Sequence, residues 1–225
     1  MQRSRWFKAV WSVKVESLAA KMRDAPFTLS SDSGFLLDRV RNSFVEGRYI
    51  ERINYEDHVL DPFGNETVNR NVEYRVVKFR LSDKYPELQI SDPPRTARGF
   101  INSVLQLTDF NSEVESVRVD PQKWLENLQS QKNLVGRVTS AKIIYERLSA
   151  GAIGKLNIIA SKQAVEVADK LGFNGPRSIS KIKFEPNLEK GHLVLSESGV
   201  ASFSIKGMIG LVDDMRLSLP RDPLK

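Results

Sequence analysis

The sequence predicts an α+β fold of two β-β-α-β halves, with mainly antiparallel sheet and helices packed on one face. Three observations lead there. Short runs rich in β-branched and aromatic residues are bounded by turn residues. Segments with apolar residues at helical spacing lie between those runs. The order strand, strand, helix, strand also occurs twice, with an offset of about 65 residues. Residue identity between the copies is poor, so the recurrence fits either a duplication or the reuse of a common unit.

In chain order, residues 6–15 (Trp6-Phe7-Lys8-Ala9-Val10-Trp11-Ser12-Val13-Lys14-Val15) have the composition of a strand. Ser31, Asp32 and Ser33 offer an N-cap to a helix over 35–45, in which Leu36 or Leu37, Val40 and Phe44 recur at helical spacing and which Gly47 closes. Residues 49–60 and 67–81 form a hairpin about Asp61-Pro62-Phe63-Gly64, with Asp at i, Pro at i+1 and Gly at i+3 of a type I turn. The first repeat copy has strands over 72–81 and 87–91, a helix over 95–108 and a strand over 114–119. Ala97, Phe100, Ile101, Val104, Leu105 and Thr108 give that helix one stripe, and Pro93-Pro94 stand before it. Asp120-Pro121 starts a linking helix over 121–130, with Trp124, Leu125 and Leu128 as its apolar side. The second copy has strands over 135–148 and 155–160, a helix over 162–171 and a strand over 178–184. Its helix has Ser161 as cap, Ala164, Val167, Ala168 and Leu171 on one face, and Gly172 as stop. Strands over 192–195 and 201–205 flank the turn Glu197-Ser198-Gly199, and residues 220–225 are expected to fray. The chain thus divides into 1–70 (strand, helix, hairpin), 71–133 (first half and linking helix) and 134–225 (second half and terminal strands).

Among 225 residues there is no Cys, which excludes disulfides, thiolate metal sites, Cys nucleophiles and iron–sulfur clusters. The imidazoles are His58 and His192. No apolar run approaches the roughly 20 residues of a membrane span, and the first residues lack the features of a signal peptide, so the chain reads as soluble and cytoplasmic. The net charge is +6, unevenly placed: residues 1–23 carry +5, residues 137–183 carry +6, and the remainder carries −5. Two basic segments on an otherwise acidic body suit a polyanion if they share a face, and serve only solubility if they do not.

Signatures of catalysis are weak. Ser149-Ala150-Gly151-Ala152-Ile153-Gly154-Lys155-Leu156 has the Gly-Lys pair of a phosphate loop. It lacks Gly at Ser149 and a hydroxyl at Leu156, and strand rather than helix follows, so it reads as a hairpin loop. Glu56-Asp57-His58, with Asp61 nearby, is the one cluster of hard-metal or acid–base groups, but a strand sends residue 57 to the face opposite 56 and 58. No Gly-x-Ser-x-Gly elbow surrounds a Ser. The nuclease pattern Glu-x-Lys is approached only by Glu73-Tyr74-Arg75, and His192 sits at a strand edge. No catalytic residue, metal or cofactor is assigned. A binding protein is favoured over an enzyme, and a hydrolase with dispersed residues stays open.

Basic strands with interleaved aromatics carry the nucleic-acid reading: Tyr74, Arg75, Lys78, Phe79 and Arg80 on one, Trp6, Phe7 and Lys8 on another, and Lys181-Ile182-Lys183-Phe184 on a third. Alternation turns Ile182 and Phe184 inward and both Lys outward. The candidate DNA contacts are Arg5, Lys8, Arg75, Lys78, Arg80, Arg137, Lys142, Lys155, Lys181 and Lys183, acting on phosphates without reading bases. The competing explanation for the Lys rows is protection of an edge strand. No helix-turn-helix or zinc-finger spacing occurs, which argues against a sequence-specific reader.

In Trp6-Phe7-Lys8 opening a strand, in the strand-rich halves, and in Gly136-Arg137-Val138-Thr139 starting a long strand, the chain resembles the recombination-associated RdgC proteins, nonspecific DNA-binding proteins that form ring-shaped dimers. The likeness covers most of the chain as an order of elements. It implies DNA binding along a basic sheet or channel, a homodimer, and a role in recombination, phage biology or phage defence. A counterpart of the family's larger tip region is missing. The alternative is a protein-interaction subunit of a multi-protein defence or mobile-element complex, with an acidic protein partner.

Overall fold

The computed structural model describes residues 1–149, 152–161, 163–171, 176–205 and 207–221. Its elements are β1 (Gln2–Val10), α1 (Val15–Arg23), β2 (Ser33–Arg41), β3 (Phe44–Leu60), β4 (Glu66–Ser82), β5 (Leu88–Ser91), α2 (Arg98–Gln106), β6 (Glu113–Ser116), α3 (Pro121–Lys132), β7 (Gly136–Ser149), β8 (Ala152–Ile159), α4 (Ala164–Lys170), β9 (Arg177–Pro186), β10 (Leu193–Ser196), β11 (Val200–Phe203) and α5 (Leu211–Ser218). Two compact units result: residues 9–114, and residues 1–8 together with 115–225. We call them the inserted and the discontinuous unit. Their division differs from the three sequence segments, because the boundary expected at residue 70 falls inside β4, which is laddered to β3 from Phe44↔Ser82 to Leu60↔Glu66.

The inserted unit has the strand order β2-β3-β4-β5, all antiparallel. Its core joins Phe35, Tyr49, Phe79 and Phe100, with Phe79 stacked on Phe100 at 4.9 Å. Ser103 Oγ of α2 donates to Tyr49 Oη at 3.0 Å. The helix expected over 35–45 is instead β2. Asn42-Ser43 makes a two-residue turn between Arg41 and Phe44, and β3 takes up the backbone groups a helix would have bonded internally. Gly47 is no helix stop: it lies in β3 opposite Leu37, where a Cβ would stand 2.6 Å from the Leu36 carbonyl oxygen. The strand expected over 6–15 ends at Val10, and Val15, Leu18, Ala19 and Met22 form the buried stripe of α1.

The discontinuous unit has the order β1-β11-β10-β9-β7-β8. Helix α3 packs on β9 and β10, α4 on β7 and β8, and α5 on α3. Trp124 of α3 is fully buried, edge-on to Trp6 at 5.5 Å, with its Nε1 donating to Met215 O of α5. Helix α5 was not anticipated from sequence, although Leu211, Met215 and Ser218 share its buried side. Asp120 caps α3 as expected, accepting from Gln122 N at 2.8 Å.

The α+β class holds, and strand, strand, helix, strand does occur twice in order. Pairing distinguishes the copies. In the second, β9 returns beside β7, whereas in the first β4 is flanked by β3 and β5. The Gly172 stop and the turn at residues 150–151 lie outside the described residues, as do residues 222–225; Pro220 is buried.

Candidate nucleic-acid interface

Strand β9 is interior to its sheet, between β10 and β7, so edge protection does not account for Lys181 and Lys183. Directly opposed residues of antiparallel strands share a face. Followed across the sheet, the registers give one row Arg5–Val200–Ser196–Lys181–Lys142–Asn157 and a second row Arg3–Ser202–Val194–Lys183–Ser140–Ile159. Lys155 extends the same face from β8, opposite Ile144. The alternate row Ser4–Ala201–Leu195–Ile182–Ala141–Ile158 is buried throughout and faces the helices. One side of the sheet is therefore core, and the other carries the cations.

Among the described residues, no carboxylate lies within ion-pair distance of Lys142, Lys155 or Lys181. Two acids of the described residues stand on this face: Glu146, exposed on β7 on the same alternation as Lys142, and Glu185, whose carboxylate meets Lys183 Nζ at 2.9 Å and Arg137 Nη2 at 3.6 Å. The hydrogen bond from Lys183, opposed by some burial and helped by the charges of Lys183 and Arg137, holds Glu185 below the usual carboxylate range. Arg5 is half-buried, with its guanidinium carbon 4.7 Å above the Phe7 ring and Nη2 donating to Ser116 Oγ at 3.2 Å. Burial and the neighbouring charge of Arg3 lower its pKa. Between β9 and β7, the backbone and side chains of Ser140, Lys142, Asn157, Lys181, Lys183 and Val194 line a concavity of about 270 Å³.

Five sequence candidates thus converge on one face: Arg5, Lys142, Lys155, Lys181 and Lys183. Arg137 joins them at the margin, tied to Glu185. Lys8 follows Ser4 and Trp6 on the alternate side of β1 and lies off the face. Arg75, Lys78 and Arg80 belong to the inserted unit, where Arg75 pairs with Glu51 at 2.9 Å and Arg80 with Glu46 at 3.1 Å while lying over the Phe44 ring. Lys78 is exposed opposite Arg48, which is bound to Asp38. The interleaved aromatics serve packing instead: Trp6, Phe7, Phe79 and Phe184 are buried, and Tyr74 is half-exposed with its ring edge-on to Phe27. Arg3, Ser140 and Asn157 were missed, because only cross-strand register brings them to the Lys rows; Glu185 was missed although alternation along β9 already sets it beside Lys183.

The chain matches no protein-family model and no curated protein. The face therefore has to be read from its own chemistry. His58 Nδ1 lies 2.6 Å from Glu66 Oε1 and Glu56 accepts from Arg70 Nε at 3.0 Å, both as cross-strand pairs on the exposed part of the β3–β4 hairpin. His192 Nδ1 is 3.1 Å from Ser204 Oγ. Among the described residues no three His, Asp or Glu side chains gather as a metal would require, and no helix is long and apolar enough to cross a membrane.

Proposed function

We propose that the protein is a non-enzymatic, sequence-nonspecific DNA-binding protein that holds phosphates on the Lys face of the discontinuous unit. The convergence of Arg5, Lys142, Lys155, Lys181 and Lys183 on one sheet face carries the reading. Lys and Arg in such rows meet backbone phosphates and position a duplex without reading its bases. Every described aromatic of this unit is buried, so the described residues offer no platform for unstacked bases, which favours duplex over single strand. The resemblance to the RdgC proteins points to the same ligand, and roles in recombination or phage biology belong to this proposal.

The test is fluorescence anisotropy of labelled duplexes of unrelated sequence with wild type and the double variant Lys181→Glu/Lys183→Glu. The double variant should bind at least about tenfold more weakly at 50 mM salt, with equal loss on every sequence and a salt slope shallower by about 2. Unchanged affinity would remove this face from the account.

A second reading, a protein-interaction subunit, draws on the outer part of the β3–β4 hairpin. Both its faces are exposed, Leu60 and Phe63 are 71% and 90% exposed, and residues 53–73 carry five carboxylates against Arg70. That arm suits a protein and repels a phosphate backbone.

A further inference from the structure

We propose that the concavity between Lys142, Lys181 and Lys183 is a seat for a single phosphate group. Lys142 and Lys181 stand directly opposite one another on β7 and β9, and Lys183 is two residues along the same face. Like charges in directly opposed positions destabilise a sheet. Neither Lys142 nor Lys181 has a carboxylate within ion-pair distance among the described residues. Local rules of this kind are broken mainly where function requires it. An oxyanion between the ammonium groups turns the repulsion into charge-assisted hydrogen bonds. Asn157, in the same row, has its Oδ1 3.5 Å from Ser140 Oγ, which leaves its amide N–H groups to donate to a ligand. The volume of about 270 Å³ accommodates one tetrahedral anion with its remaining water. The seat rests on the DNA reading for the polymer that bears the phosphate, and on its own geometry for the phosphate itself.

The experiment is thermal unfolding of the full chain in chloride, inorganic phosphate or pyrophosphate at matched ionic strength and pH. Wild type is compared with Lys142→Gln, Lys181→Gln and, as a control on α3, Lys123→Gln. Phosphate should raise the midpoint of wild type and Lys123→Gln by about 2–4 °C and leave Lys142→Gln and Lys181→Gln unmoved. In chloride, Lys181→Gln should melt above wild type, because the opposed pair is gone. An equal shift in all four proteins, no shift in any, or a lower melting point for Lys181→Gln in chloride would overturn the seat. Pyrophosphate should also displace a labelled duplex from wild type. A phosphate shift without duplex binding would refute the DNA reading and keep the seat. Duplex binding without a variant-sensitive shift would do the reverse.

Discussion

At the scale of single residues, Glu185 sets how much positive charge the face offers. It engages Lys183 and Arg137 together. Its folded pKa is depressed, so its contribution to stability is complete above about 4.3, the ordinary Glu value, and fades as pH falls through the lower folded value. Glu185→Gln should therefore raise duplex affinity several-fold at neutral pH, because a carboxylate no longer repels phosphate or competes with it for Lys183 and Arg137. The unfolding midpoint of wild type should exceed that of the variant above pH 5, and the two should converge in acid; a gap independent of pH would show that the carboxylate charge is not responsible. The outward direction of Lys181 and Lys183 was legible from alternation alone. The opposition of Lys142 to Lys181 was not, because a bulge between Val138 and Ser140 and another between Lys142 and Ile143 shift the register in ways composition does not signal.

At the scale of elements, local chemistry predicted what it controls. Asp120 and Pro121 start α3 as a side-chain cap should, and Asp120→Ala is expected to cost about 1 kcal/mol in denaturant unfolding. A loss below about 0.3 kcal/mol would mean that packing of Trp124, not the cap, fixes the helix start. The hairpin turn was legible for a similar reason: Asp61 accepts from Phe63 N and Asn65 N, each at 2.8 Å, and Gly64 takes φ 87°. Hydrogen bonds from the Asn65 side chain and backbone hold the Asp61 carboxyl below its ordinary range. Asp61→Ala should speed amide exchange across residues 53–73 and leave residues 44–50 protected, since the latter are laddered on both sides by β2 and β4. The strand β2 was misread because Leu36, Val40 and Phe44 satisfy a helical spacing. Pairing with β3, permitted by the missing side chain at Gly47, overrides that local pattern.

At the scale of the molecule, Arg3 and Arg5 of the first basic stretch meet Lys142, Lys155, Lys181 and Lys183 of the second on one face, because β1 pairs with β11 and, through β10, reaches β9. The positive segments were visible as a charge count; their convergence needed the strand order, which no local pattern encodes. From Lys181 on β9 to Arg5 on β1 is three strand spacings, roughly 14 Å, so the face spans more than one phosphate. On the proposed function, duplex DNA releases counterions as its phosphates meet this face. The most direct measurement is the affinity of wild type for a labelled duplex between 50 and 200 mM salt. With about six contacts the affinity should fall roughly a thousandfold over that range, alike for unrelated sequences. An affinity that holds constant with salt, or no binding at 50 mM, would contradict the account.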